Sequence, residues 1–447
     1  MMPVGPGWLP PHPARRRRAF FSPAIRRAFS SGAPQLAGIA TLLIGCVFLQ
    51  RLAVTVGALQ LSLSFLIGYG ALGYLLLRGR MALSFPLGIL FFVVMAGLTM
   101  SMLHSGSTAS IMSFIYLFAI YGLYIFKLRG GQEAAPQIHE LYQRMMLFAA
   151  ACGIGQFCAQ FVLPLELVFP LEAFVPEAFK FGTEFYNVII PLTYGANIYK
   201  SNGVFFLEPS FFSQFLALAV ILELLGRQRV LRLALYAGGL LVAYSGTGML
   251  LVALMLPYVL LRRGNLHLLL FGLAAVVLLA VSATALNLDT VFNRVNEFGS
   301  EESSGFARFV SPFYLFRDFL GTTDAFLFGH GPGSILGIMK EASYKGYTSH
   351  DPTWIKAMME YGVIPGLLLI VYTAFAFISG PASRPFAIAV LVLFLFMGGY
   401  LLNPVMHFLF AALLAWPNSQ LAPVPARPRK RPVMAAAPPP RPAIGLR

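Results

Sequence analysis

The chain has 447 residues, of which 58% are hydrophobic and only 11% are charged, and its formal net charge at pH 7 is +15. Soluble proteins carry roughly twice this share of charged residues, so the composition excludes an ordinary water-soluble globular domain. The Lys and Arg residues gather at the ends of apolar runs and in two tails rather than on a long basic face, which argues against nucleic acid as a partner.

Taken in chain order, a basic, Pro-rich tail over residues 1–34 precedes the first apolar run and lacks the features of a cleaved signal peptide. A polytopic membrane domain over residues 35–416 follows, in which twelve apolar runs predict transmembrane helices. Residues 417–447 form a second tail, rich in Pro and Arg and low in complexity. The predicted helices cover residues 36–51, 58–77, 81–101, 107–126, 145–163, 206–225, 230–246, 248–261, 266–286, 361–379, 385–402 and 404–416.

The distribution of charges supports this topology. With the N-terminus in the cytoplasm and the helices alternating in direction, the 32 Lys and Arg residues divide into 23 inside and 9 outside. Of the 17 acidic residues, 14 fall outside. We therefore expect an all-α polytopic protein of about twelve transmembrane helices in the bacterial inner (cytoplasmic) membrane, with both termini in the cytoplasm.

Two outward-facing loops are much longer than the other predicted turns. The first covers about residues 164–205 and is rich in aromatic residues, which predicts segments that lie in the membrane interface. The second covers about residues 287–360 and is the stretch polar enough to form a small periplasmic subdomain. A protein with this much external loop is expected to work on that side of the membrane.

The first loop ends in a polar cluster where the chain enters the sixth predicted helix. Lys200, Asn202 and Glu208 stand close together there, and Pro209 follows at a position where it can break the helix. One interpretation is an anion-binding cation beside a polar cavity, because a carboxylate inside an apolar run needs a partner. The alternative is that Lys200 reaches lipid headgroups and Glu208 lies at the interface.

The second loop carries arginines and a histidine suited to chemistry. Arg308 and Arg317 have the planar guanidinium that binds phosphate oxygens in pairs, although surface ion pairs are the alternative interpretation. His350 is able to exchange a proton near neutral pH, and the adjacent Asp351 is placed to orient it. A turn at Gly329–Gly333 is expected to let the backbone approach a ligand closely.

The order of these motifs is more specific than any one of them. This series resembles the O-antigen ligase and Wzy-type polysaccharide polymerase superfamily, and among its members exopolysaccharide polymerases, over roughly residues 195–380. The motifs are Asn-Gly-Val-Phe-Phe-Leu-Glu-Pro-Ser at 202–210, Tyr-Ser-Gly-Thr-Gly at 244–248, Ser-Gly-Phe-Ala-Arg at 304–308, Gly-His-Gly-Pro-Gly at 329–333, Ser-His-Asp at 349–351 and Glu-Tyr-Gly-Val-Ile-Pro-Gly at 360–366.

The resemblance implies a GT-C-like membrane glycosyltransferase that polymerises undecaprenyl-pyrophosphate-linked oligosaccharide repeats into exopolysaccharide or O-antigen on the periplasmic face, without a metal or other cofactor. His350 matches the family's loop histidine and Arg308 an arginine that contacts pyrophosphate, while Lys200 stands where many members have Arg. The implied partners are the lipid-linked glycan donor, a glycan acceptor, membrane lipids and, as a candidate, a chain-length regulator protein.

Three alternatives remain open at this point, the third being a non-catalytic assembly scaffold. A ligase that transfers a finished glycan to lipid A-core or to a protein shares the same motifs and differs only in its acceptor. A flippase or other transporter of lipid-linked oligosaccharide is disfavoured, because it needs polar residues near the middle of the bilayer and these helix interiors have few. The polymerase hypothesis predicts that Lys200, Arg308 and His350 converge on one outward cavity.

Overall fold

The computed structural model describes residues 34–56, 59–106, 109–182, 186–193, 195–263, 304–380 and 383–419. Within these residues the chain is mostly helical, which confirms the predicted helical class in its coarse form. Two short antiparallel hairpins were not expected from the sequence. They pair β1 (Ala53–Val56) with β2 (Leu59–Ser62) and β3 (Met81–Leu83) with β4 (Phe126–Leu128).

The helices follow the predicted apolar runs. The first eight are α1 Pro34–Phe48, α2 Leu63–Leu77, α3 Phe85–Ser105, α4 Ile111–Gly122, α5 Gly131–Ala159, α6 Leu165–Val168, α7 Pro170–Phe174 and α8 Pro209–Leu225. The others in the described ranges are α9 Val230–Ala243, α10 Gly246–Arg263, α11 Ser304–Phe309, α12 Ser311–Phe319, α13 Thr323–Phe328, α14 Ile335–Tyr344, α15 Thr353–Tyr361, α16 Val363–Ile378, α17 Arg384–Phe396 and α18 Pro404–Phe410. Each predicted run contains a helix, except 266–286, which lies outside the described residues.

Local sequence explains where several helices begin. Ser62 caps α2, because its hydroxyl oxygen accepts a hydrogen bond from the Phe65 N–H at 3.2 Å. Helices α8, α17 and α18 each have a proline in the first turn, where its missing N–H leaves no hydrogen bond unmade. The polar break at Glu208–Pro209 is therefore a helix start.

Within the described ranges, one helix is both long and apolar enough to cross a membrane by itself. This helix is α3, with 21 residues and a mean hydropathy of 2.1. The shorter apolar helices in these ranges have 10–17 residues. A helix that crosses a membrane perpendicular to its plane needs about 20 residues. The expected count of about twelve transmembrane helices therefore stays a prediction.

The core is centred on α8. This helix packs against α5, α9, α10 and α17, and most of its side chains are buried. A second, smaller apolar cluster lies among α12, α14 and α15, where Leu315, Ile338 and Ile355 are buried. The described part of the predicted second loop is thus folded around apolar contacts of its own.

Two boundaries differ from the sequence prediction. Helix α5 begins at Gly131, well before the predicted start at residue 145, because its first turns are polar yet still helical. Residues 417–419, assigned to the second tail, are packed against the bundle: a Cβ on Gly131 would lie 2.8 Å from the Pro417 carbonyl oxygen. The Asn418 amide also donates to the Phe377 carbonyl at 2.5 Å.

Candidate functional site

His350 is held beside Arg308 by the backbone. The His350 N–H donates to the Ala307 carbonyl at 2.8 Å, which ties the Ser-His-Asp segment to α11. Burial lowers the pKa of the half-buried His350 below its usual range, and the positive charge of Arg308 lowers it further, against the opposing charge of Asp351. The imidazole is therefore neutral at pH 7, the form that accepts a proton.

Tyr400 connects this segment to α8. It lies in the turn between α17 and α18, where its N–H donates to the Thr353 hydroxyl at 3.0 Å. Its own hydroxyl donates to the side-chain oxygen of Gln214 on α8. The charges of Arg308 and Glu208 both act on this hydroxyl. Tyr400 therefore joins the start of α15 to α8 by hydrogen bonds, and the charges of Arg308 and Glu208 act on its hydroxyl.

Glu208 is fixed at the N-terminal end of α8 by two hydrogen bonds. Its carboxylate accepts the Asn187 N–H at 3.0 Å and the Ser210 hydroxyl at 2.8 Å. Burial raises the pKa of the neighbouring Tyr186 to about 12, and the charges of Glu208 and then Asp351 act in the same direction. The Asn403 amide donates to the Tyr186 hydroxyl at 3.2 Å.

These contacts define a polar centre, by which we mean the side chains grouped around the Tyr186 and Tyr400 hydroxyls. Four residues predicted from sequence lie in or beside it. They are Glu208, Arg308, His350 and Asp351. A histidine base, an arginine cation and two carboxylates are thereby gathered from segments far apart in the chain, which is an arrangement suited to proton transfer beside an anionic group.

Lys200 and Asn202 lie in the neighbouring part of the first loop. The Lys200 N–H donates to the Ile190 carbonyl at 2.9 Å, and its convergence with Arg308 and His350 stays a prediction. Asn202 is wholly buried. Its side-chain oxygen accepts the Gln156 amide at 3.0 Å and the Val204 N–H at 3.1 Å. These bonds hold the loop against α5, so Asn202 shapes the loop.

Arg317 lies on an exposed surface of α12. It pairs with Asp318 at 2.7 Å while 72% of its side chain is exposed, and it stacks over the Tyr314 ring at 5.2 Å. Asp318 also accepts the Tyr347 hydroxyl at 3.1 Å. The surface ion pair, which the sequence left open as the alternative for Arg317, is thus present.

The glycine turn at Gly329–Gly333 packs against the chain itself. The His330 N–H donates to the Met359 carbonyl at 2.8 Å, and the Gly331 N–H donates to the Glu360 carbonyl at 2.9 Å. A Cβ on Gly329 would lie 2.5 Å from the Gly362 nitrogen. The close backbone approach expected for a ligand is therefore made to the end of α15.

The Tyr-Ser-Gly-Thr-Gly motif also has a packing explanation. A Cβ on Gly248 would lie 2.2 Å from the Ser213 carbonyl oxygen, so only glycine allows α10 to pack this closely on α8. Tyr244, which ends α9, has a φ of 44°. The motif brings three helices together one turn beyond Glu208.

Several residues of the polar centre were missed by the sequence prediction. They are Tyr186, Gln214, Tyr400 and Asn403. Tyr400 falls inside the predicted apolar run 385–402, but α17 ends at Phe396 and the chain turns there. The Gly398–Gly399 pair and the Asn403–Pro404 step are turn signals that indicate an earlier end to the predicted helix. Lys356 was missed as well, although it lies 3.3 Å from Asp351.

Comparison of the sequence with protein-family models gave no match, and comparison with curated proteins gave none.

Proposed function

We propose that this protein is a membrane glycosyltransferase that polymerises undecaprenyl-pyrophosphate-linked oligosaccharide repeats on the periplasmic side of the bacterial inner membrane. The observation that carries the proposal is the backbone hydrogen bond from His350 to Ala307, which holds a candidate base beside the Arg308 cation. Glycosyl transfer from a lipid pyrophosphate needs these two functions: a base for the acceptor hydroxyl and a cation for the leaving group.

Two features support a membrane location with about twelve crossing helices. Large apolar side chains are exposed on α3, including Phe92 at 64% and Leu103 at 73%, as expected for a helix surrounded by lipid. Ion pairs between separate segments also join groups that the predicted topology assigns to the same side. Inside pairs are Arg229–Glu140 and Arg232–Glu140, and an outside contact joins His104 to Asp324.

In the proposed reaction, an acceptor sugar hydroxyl attacks the anomeric carbon of the donor. The bond from that carbon to the pyrophosphate oxygen breaks, and the lipid pyrophosphate leaves with the electron pair. The acceptor proton passes to the neutral imidazole of His350. Arg308 stabilises the negative charge that develops on the leaving group with paired hydrogen bonds. Glu208 and Asp351 are proposed to orient sugar hydroxyls, and Lys200, Asn202 and Arg317 stay predicted substrate contacts.

The test is glycan synthesis by purified protein in liposomes that contain lipid-linked repeats and a metal chelator. His350→Ala is expected to lower the rate by ~10²–10⁴-fold, the usual contribution of a general base. Arg308→Lys is also expected to fail, because a lysine keeps the charge but lacks the planar fork. His104→Ala and Arg78→Lys serve as matched controls.

Polymer of normal length from His350→Ala, or an absolute need for a divalent metal, would refute the assignment. If the wild-type protein instead transfers preassembled glycan to lipid A-core and forms no polymer, the ligase alternative is correct. If it moves lipid-linked glycan across the bilayer without forming a glycosidic bond, the transporter alternative is correct.

A further inference from the structure

A largely buried cation, paired with the Asp351 carboxylate, lies next to the polar centre. Lys356, on α15, has only 16% of its side chain exposed, and its ammonium lies 3.3 Å from Asp351 Oδ2. One helical turn later, Glu360 is wholly buried. Burial alone would lower the pKa of Lys356, but the charges of Asp351 and Glu360 outweigh it and raise the pKa. Lys356 is therefore a charged ammonium paired with Asp351, and the Glu360 charge acts on it from one turn away.

Asp351 is confined on its other side by a turn of the backbone. A Cβ on Gly399 would lie 2.9 Å from Asp351 Oδ1, so the carboxylate fills the space that the glycine leaves open. Thr353 fixes the same turn, because its hydroxyl donates to the Gly398 carbonyl at 3.1 Å and accepts the Tyr400 N–H at 3.0 Å. The carboxylate thus has a fixed position between an ammonium and the turn that carries Tyr400.

The charge on Asp351 matters for His350. Asp351 is the negative group that favours protonation of the imidazole, against burial and the Arg308 charge. Its charge also acts on Tyr186. An Asp351 carboxylate without a cation at its back would hold a proton on His350 more strongly. The ability of His350 to act as a base therefore depends on how far the Lys356 ammonium opposes the negative charge of Asp351.

We propose that Lys356 is a positioning residue that holds Asp351 against the Gly398–Tyr400 turn, offsets its charge and so keeps His350 in the neutral form. The proposal rests on the proposed function, in which neutral His350 accepts the acceptor proton. Lys356 touches no reacting atom in this scheme and acts through Asp351.

Glu360 adds a second, pH-dependent negative charge near Lys356. Burial raises the pKa of Glu360 to about 7, against the opposing charge of Lys356 and the N–H groups of Gly333 and Ile335, with Asp351 adding to the rise. Above that pH, Glu360 is ionised and adds a second negative charge near the ammonium. Below it, Glu360 is neutral, and Asp351 is then the carboxylate whose charge the Lys356 ammonium opposes.

The test measures the protonation of His350 directly. Diethyl pyrocarbonate acylates neutral imidazole, so the rate of modification of the peptide containing His350, followed by mass spectrometry across pH, gives its titration midpoint. His104, with 42% of its side chain exposed, is an internal reference in every sample. In Lys356→Met the His350 midpoint is expected to rise by about 1 pH unit, because the Asp351 charge is no longer offset. Lys356→Arg keeps the charge and is expected to restore the wild-type midpoint.

Two further variants separate the proposed route from a general disturbance of α15. Glu360→Gln removes a charge one turn away and is expected not to raise the His350 midpoint. In an Asp351→Asn background, Lys356→Met is expected to raise the midpoint clearly less than it does when Asp351 is present, because only the direct effect of the ammonium charge on His350 remains. The proposal would be overturned by any of three results: an unchanged midpoint in Lys356→Met, a raised midpoint in Glu360→Gln, or an equally large rise from Lys356→Met without Asp351.

Glycan synthesis by the same variants distinguishes this proposal from the proposed function. The acidic limb of the rate profile in Lys356→Met is expected to move up with the His350 midpoint. If the midpoint moves as expected but the wild-type protein forms no glycosidic bond, the proposed function is refuted and the role of Lys356 stands. If polymer forms and the midpoint does not move, the role of Lys356 alone is refuted.

Discussion

Glu223, at the C-terminal end of α8, offers the sharpest test of how the bundle is held together. The side chain is wholly buried. Its carboxylate accepts hydrogen bonds from Arg229 Nε at 2.9 Å, Arg229 Nη2 at 3.0 Å and the Gln143 amide at 3.1 Å. Arg229 also pairs with Glu140 on α5 at 2.9 Å. The cluster therefore joins α5, α8 and the start of α9.

We expect Glu223→Gln to lower the free energy of unfolding by about 3 kcal/mol. Breaking a buried ion pair by removing one partner typically costs ~3–5 kcal/mol, because the remaining charge loses its compensation. The low end applies here because Arg229 keeps its pair with Glu140 and has 29% of its side chain exposed. Glutamine has the same shape as glutamate, so the change tests charge and hydrogen bonding rather than volume.

The measurement is equilibrium unfolding in mixed micelles with increasing sodium dodecyl sulfate, followed by tryptophan fluorescence. Trp416 is a suitable probe, because it is fully buried and its indole N–H donates to the Leu123 carbonyl at 2.9 Å. Glu341→Gln is the matched control: its pair with Lys345 leaves the two side chains 60% and 41% exposed. Exposed pairs contribute ~0–1 kcal/mol. If both variants unfold at the same detergent fraction, the cluster does not stabilise the bundle as argued.

Two other predictions concern packing and topology. Gly362 has a φ of 87°, and a Cβ at this position would lie 2.3 Å from the Leu327 carbonyl oxygen. Gly362→Ala is therefore expected to lower the free energy of unfolding by more than about 2 kcal/mol in the same assay. Gly337→Ala on α14, where the space around an added Cβ is open, is the control. In a variant lacking Cys46, Cys152 and Cys158, an impermeant maleimide is expected to label Tyr344→Cys in intact cells. Gln132→Cys is expected to react only after the inner membrane is permeabilised, and labelling of both sites in intact cells would contradict the topology.

The helices were predictable because apolar run length is a strong signal. A long run without charges admits few structures, and each run in the described ranges does contain a helix. The hairpins were missed because a strand of four residues inside an apolar stretch gives no pattern that differs from a helix. The predicted run 58–77, for example, holds β2 before α2 begins at Leu63.

The site was predictable only where polar residues interrupt apolar sequence. Glu208, Arg308, His350 and Asp351 stand out because charged groups are rare in this chain, and all four lie in or beside the polar centre. Gln214 lies within α8 and is nearly fully buried, so its role depends on which face of the helix meets Tyr400. A single sequence does not fix that rotation.

Tyr186 and Tyr400 show how a polar centre is joined to apolar helices. A polar centre at the end of a helical bundle has to be joined to helices whose backbone groups are already hydrogen-bonded and whose side chains are apolar. Tyrosine does this with one side chain: the Tyr400 and Tyr186 rings each pack edge-to-face on Phe211, at 5.9 and 5.7 Å. Their hydroxyls reach Gln214 and Asn403. Packing on Phe211 therefore fixes the two hydroxyls in the polar centre, where the charge of Glu208 acts on both and the charge of Arg308 acts on that of Tyr400.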